Sequence, residues 1–134
     1  MGFGRGKVIL LGEHAVVHGY PAIAAGIERG VTARATVGAT DRLSLSPWNL
    51  DVRPDPKGEP LARAFSVVLD EYGERPAIGV DARVDILAGA GLGCSAAIGV
   101  AVIDAIDEAL GSPRERVALA RAAHAWEKVF HGNP

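Results

Sequence analysis

Between Ile78 and Leu110 the chain changes its periodicity twice, and this limits the folds open to it more than any other feature. "AIGVDARVDIL" alternates strictly, with Ile78, Val80, Ala82, Val84 and Ile86 on one side, which predicts a strand with one buried face. From Cys94 to Leu110 the residues are apolar on nearly all sides apart from Asp104, Asp107 and Glu108, which predicts a central, buried helix. Between the two lies "GAGLGC", with Gly89, Gly91 and Gly93 at alternate positions. A half-buried strand feeding a buried helix calls for a layered fold, with the helix laid on a sheet. The glycines then have two readings. They form a turn whose small residues allow close packing, or they let backbone close around an anion at a helix N-terminus, where unpaired N–H groups and the helix dipole favour negative charge. The spacing matches neither the Walker pattern, which needs Gly-Lys-Ser/Thr, nor the dinucleotide fingerprint. Taken alone, it does not choose between turn and cradle.

The rest of the chain supplies the other layers. The apolar run Val8-Ile9-Leu10-Leu11 reads as a buried strand, and Gly12 with Gly19-Tyr20-Pro21 marks a loop after it. "VTARATV" alternates, with Val31, Ala33, Ala35 and Val37 on one face. "RLSLSPWNLDV" predicts short strand pieces broken at Pro47, followed by a proline-rich loop to Pro60. Leu61, Phe65, Val68, Leu69 and Tyr72 keep the three-and-four spacing of an amphipathic helix, which Gly73 stops. In the last helix Ser112 is placed to N-cap, Pro113 to open the first turn and Glu115 to complete a capping box. Leu119, Ala122, Ala123, Trp126 and Phe130 make its apolar stripe, and Gly132 with Pro134 ends it. Strands come first and helices cluster late, so the class is α+β, a mixed sheet covered by helices in one domain.

Composition removes several classes of function. A net charge of −2 and 5% aromatic residues leave no basic footprint and no interleaved stacking residues, so nucleic acid is not an expected partner. A single cysteine, Cys94, rules out an internal disulfide framework and suits a reducing cytoplasm. The longest early apolar run, from Val8 to Leu11, is too short for a signal core or a membrane span. A cytoplasmic chain that does not enter membranes is expected.

Two stretches resemble the same family, the GHMP small-molecule kinases. "GKVILLGEHAVVHGYPAIAAGI" is similar to the family's first motif in its mevalonate kinase branch. "GAGLGCSAA" is similar to its nucleotide-phosphate loop, and the terminal "EKVFHGNP" resembles the approach to a further stretch of that branch, which continues Ser-Gly-x-Asp. The three occur in the family's order. The resemblance implies a GHMP kinase N-terminal domain with a left-handed β-α-β crossover, against the usual rule. It implies transfer of the γ-phosphate of ATP to the primary hydroxyl of mevalonate, with Mg2+ as cofactor. Another kinase of the family, or a non-catalytic nucleotide-binding module, is the alternative.

The same resemblance assigns roles. Lys7 matches the lysine near the transferred phosphate and the attacking hydroxyl. Gly89, Ala90, Gly91, Leu92, Gly93, Cys94 and Ser95 match the loop around the triphosphate. Glu13 and His14 match residues on the substrate side of the cleft, and Ser95 with Glu127 matches the pair that holds magnesium. Ser95 starts one predicted helix and Glu127 lies on another, so a shared cation needs only that those helices pack side by side. A hydroxyl and a carboxylate are the hard oxygen ligands that magnesium takes. Each residue also has a plainer reading: Lys7 as a surface lysine, Glu13 and His14 as a loop cap, Glu127 as a solvated helix carboxylate. His124, Glu127 and His131 share helical spacing, so one face could instead carry a transition metal. His18 and His131 have motif company but no role derivable from the residues.

The chain departs from the family pattern in three places. Cys94 stands where serine is usual, either as a small apolar substitute or as a thiol made reactive by the helix N-terminus. Ile98 stands where the mevalonate kinase branch often has tyrosine. The sequence ends before the Ser-Gly-x-Asp stretch, whose aspartate is the family's general base. The expected partner is therefore the C-terminal half, as a separate chain or a lost segment, and a homodimer stays open. Alone, this chain is expected to be a poor kinase or none, because base catalysis supplies roughly 10²–10⁴-fold in rate.

Overall fold

The computed structural model describes residues 1–132; Pro134, named above as a helix terminator, and the last residues of the "EKVFHGNP" motif lie outside them. Among the described residues the elements run β1 (Gly2–Leu11), a short 3-10 turn (Val16–His18), β2 (Ile23–Val37), β3 (Arg42–Ser46), β4 (Leu50–Val52), α1 (Pro60–Asp70), β5 (Ile78–Val84), α2 (Cys94–Ala109) and α3 (Arg116–His131). The strands form one sheet in the order β1-β2-β5-β3-β4. β3 and β5 pair in parallel, and the other neighbours pair antiparallel. The α+β expectation holds. No helix among the described residues is long and apolar enough to cross a membrane.

One face of the sheet is covered. Ile78, Val80, Ala82 and Val84 of β5 are all buried, whereas Asp81 and Arg83 between them are exposed, as the alternation predicts. Val31 and Ala33 of β2 and Leu43 and Leu45 of β3 continue this buried surface. α2 lies on it, and Phe65, Val68 and Leu69 of α1 and Ala122, Ala123 and Trp126 of α3 close the core. α2 meets β1 almost backbone to backbone: a Cβ on Gly4 would stand 1.9 Å from the carbonyl oxygen of Ala97. The helix therefore runs along β1 with its N-terminus beside Lys7.

Two expectations are corrected. The run Val8–Leu11 is not a buried strand: Leu10 and Leu11 are 59% and 67% exposed. The ladder with β2 continues as far as Leu11↔Ile23, but α2 begins at Cys94, level with Lys7, so no helix covers that end of the hairpin. The capping box of the last helix does not form either. The Ser112 amide donates to the Asp107 carbonyl and the Gly111 amide to the Glu108 carbonyl, with Gly111 at φ +68°. This left-handed ending of α2 absorbs Ser112. α3 starts only at Arg116, with Glu115 in the cap position and no side-chain cap bond.

Candidate functional site

The turn from β5 into α2 is built by glycines that adopt left-handed backbone. Gly89, Gly91 and Gly93 have φ of +74°, +73° and +68°, which most side chains would strain. Gly93 is the N-cap of α2, no side chain caps the helix, and its first turn holds no acidic residue. The leading N–H groups of α2 are thus left facing outward, an arrangement suited to an anion.

Lys7 is laid along this loop. Its backbone N–H donates to the Leu92 carbonyl at 2.9 Å, and its Nζ donates to the Gly91 carbonyl at 2.8 Å. A Cβ on Gly93 would come within 3.1 Å of the Lys7 Cγ, so glycine there makes room for the lysine stem. The first motif and the glycine loop, far apart in sequence, meet at this point.

α3 brings the acid. The indole N–H of Trp126, fully buried, donates to the Ser95 carbonyl at 2.9 Å and pins α3 to the first turn of α2. The next residue, Glu127, keeps only 16% of its side chain exposed. Its Oε1 is buried and has no hydrogen-bond partner among the described residues. Its Oε2 stands 3.5 Å from His131 Nε2, which is itself 3.4 Å from the Ser95 hydroxyl. Leaving a buried carboxylate oxygen unpartnered is costly, and such an atom commonly marks a missing ligand.

These groups line one cleft of about 560 Å³, a volume in the range of small-molecule sites. Lys7, Gly89, Gly91, Gly93, Cys94, Ser95 and Glu127 belong to it, as the sequence analysis proposes, with Ala90 and Leu92 completing the loop between them. Trp48, Leu50, Leu61 and Phe130 form an apolar wall, and His131 sits at the polar end. The sequence does not single out the four wall residues as site residues, and it offers His131 only as part of an alternative transition-metal face. The wall residues look like ordinary strand and helix positions, and only the tertiary arrangement turns them towards the loop.

Not every assigned residue comes to the cleft. Glu13 and His14 lie in the turn after β1 with side chains 66% and 99% exposed, 3.6 Å from each other and outside the cleft lining. His124 is exposed, and no three His, Cys, Asp or Glu among the described residues gather as a metal group. At Cys94 burial pushes the thiol pKa up, against the reactive reading of that residue. Ile98 is buried and forms part of the cleft floor.

Comparisons with known proteins identify the family and fold of the chain. The family model described as "GHMP kinases N terminal domain" matches residues 60–134. A mevalonate kinase of Methanothermobacter thermautotrophicus is 32% identical over 126 residues, covering 94% of this chain and 42% of that relative. Among solved structures, the Methanococcus jannaschii mevalonate kinase superposes with TM-score 0.81 at 26% identity, over 98% of this chain and 46% of the other. The L. major mevalonate kinase in complex with R-mevalonate gives TM-score 0.80 at 27% identity, over 99% and 43%. The chain therefore spans less than half the length of these relatives.

Proposed function

The chain belongs to the GHMP kinases, and on that premise we propose that it is the N-terminal part of a mevalonate kinase, with the cleft between the glycine loop and α3 as its ATP site. The observation that carries this reading is the meeting of Lys7, the loop and the Ser95–Glu127 pair in one cleft. The substrate would be mevalonate, phosphorylated on its primary hydroxyl.

Lys7 would move its ammonium from the Gly91 carbonyl to the phosphoryl group under transfer and balance the charge that develops there. Phosphoryl transfer is largely positioning plus electrostatics, so a fixed cation beside the phosphates is a large part of what protein can contribute. The open N–H groups of α2 would hold the phosphates, and the wall of Trp48, Leu50, Leu61 and Phe130 offers a flat base an apolar surface. Ser95 and Glu127 would hold magnesium. Glu127 Oε1, without a partner among the described residues, and the Ser95 hydroxyl are hard oxygen donors, which fits an ion that completes its octahedron with phosphates and water. When bound, that ion would neutralise β- and γ-phosphate charge. Glu13 and His14 would face the acceptor from the exposed turn, and the one half-buried thiol suits a reducing cytoplasm.

The test is equilibrium binding of ATP with and without Mg2+. Magnesium should tighten binding in the parent protein and do so much less in Ser95→Ala and Glu127→Gln. Equal enhancement in all three would remove the assignment of that pair.

A further inference from the structure

His131 ends α3 one turn after Glu127, and neither the sequence nor the comparisons gives it a role. Its Nε2 lies between the two proposed magnesium donors, 3.4 Å from Ser95 Oγ and 3.5 Å from Glu127 Oε2. The ring is 55% exposed, so it is not there to fill the core, and the Phe130 ring stands 6.5 Å away at a tilt. We infer that His131 is a positioning residue: it holds one oxygen of Glu127 and the Ser95 hydroxyl so that both donors already face one cation before it arrives.

What such a contact removes is rotational freedom. The terminal torsion of a glutamate is soft and a serine hydroxyl turns freely, so neither group has a fixed direction by itself. A contact on Oε2 sets the plane of the carboxylate, and that plane fixes where Oε1 points. Among the described residues, Oε1 is the oxygen left buried and unpartnered. The Ser95 contact is a long hydrogen bond and the Glu127 contact an ion-pair distance, so the imidazole nitrogen steers the donors without closing the space between them. Outer partners of metal-ligating groups work this way, and losing one typically costs about 10–100-fold in metal affinity.

This inference rests on the reading of Ser95 and Glu127 as the magnesium pair, and the experiment separates the two. In the protein without mevalonate, ATP affinity is measured with Mn2+ and again with the metal chelated, and the ratio reports the metal site alone. His131→Ala should lower that ratio by about 10-fold or more, while leaving metal-free ATP affinity near the parent value. His131→Gln, which keeps a nitrogen donor near the same place, should recover most of the ratio, and His131→Phe should not. A full ratio in His131→Phe would mean that the ring only occupies space, and the inference would fall. An unchanged ratio in His131→Ala with a lost one in Glu127→Gln would also defeat it while leaving the metal pair intact. If Ser95→Ala and Glu127→Gln leave the ratio unchanged too, the metal pair itself fails and the inference fails with it.

Discussion

The indole N–H of Trp126 donates to the backbone carbonyl of Ser95 at 2.9 Å, and this bond ties together the two sides of the polar end of the cleft. Ser95 opens α2, Glu127 follows Trp126 on α3, and the indole lies against Gly99, where a Cβ would come within 2.6 Å of the ring. Trp126→Phe should cost about 0.5–1.5 kcal/mol from the lost hydrogen bond. Gly99→Ala should push α3 off α2. Both should weaken magnesium-dependent ATP binding more than metal-free binding; thermal melts paired with the two binding measurements check this.

Lys7 is held by the loop through its own backbone N–H as well as its ammonium, so removing the ammonium leaves the loop anchored. In the complete enzyme Lys7→Met should lower turnover by about 10²–10³-fold, the usual loss for one donor aimed at developing charge. The melting temperature should barely move. Steady-state kinetics beside a melt distinguish this from a folding defect.

A second polar cluster serves the fold instead. Asp107 is buried at the end of α2, where it accepts from Arg114 Nε at 2.7 Å and from the Tyr72 hydroxyl at 2.6 Å. Arg114 also reaches Glu71 at 3.1 Å. Arg114→Ala should destabilise by about 3–5 kcal/mol, because it strands a buried carboxylate. Asp107→Asn in the same chain should recover part of the loss. Denaturant unfolding of the single and double variants measures the coupling.

Asp41 gives the stability a defined acid limb. The Arg75 guanidinium bonds both its oxygens, at 2.7 and 3.0 Å, and the Ile78 N–H adds a third bond at 2.9 Å. The Arg75 hydrogen bond is the largest cause, it outweighs burial, and the carboxyl pKa is held below the usual range. A depressed native pKa adds stability above the unfolded value of about 3.9 and loses it as pH falls through the native value. Asp41→Asn should therefore be less stable than the parent at neutral pH, and the gap should narrow from about pH 5 towards about pH 2. Melts across that range test the sign.

Elements whose periodicity is local were legible from the residues. The alternation of β5, the spacing of α1 and the near-uniform apolarity of α2 each describe the element's own surroundings, and each holds. What depended on another element was not legible. Whether Val8–Leu11 is buried turns on where α2 begins, and whether Ser112 caps α3 turns on which backbone carbonyl takes its amide first. The site divides the same way. Lys7, the glycine loop, Ser95 and Glu127 were found through their motifs. His131 and the wall of Trp48, Leu50, Leu61 and Phe130 gain meaning only from the crossing of α3 over α2 and the placement of the β3–β4 hairpin.

ATP-dependent phosphorylation of mevalonate tests the proposed function most simply, measured with this chain alone and joined to the C-terminal part that its relatives carry, with galactose and homoserine as competing acceptors. The joined protein should yield phosphomevalonate, the chain alone little or none, and the competitors should have no effect. Absence of phosphorylation and of nucleotide binding in both forms would contradict the proposed function.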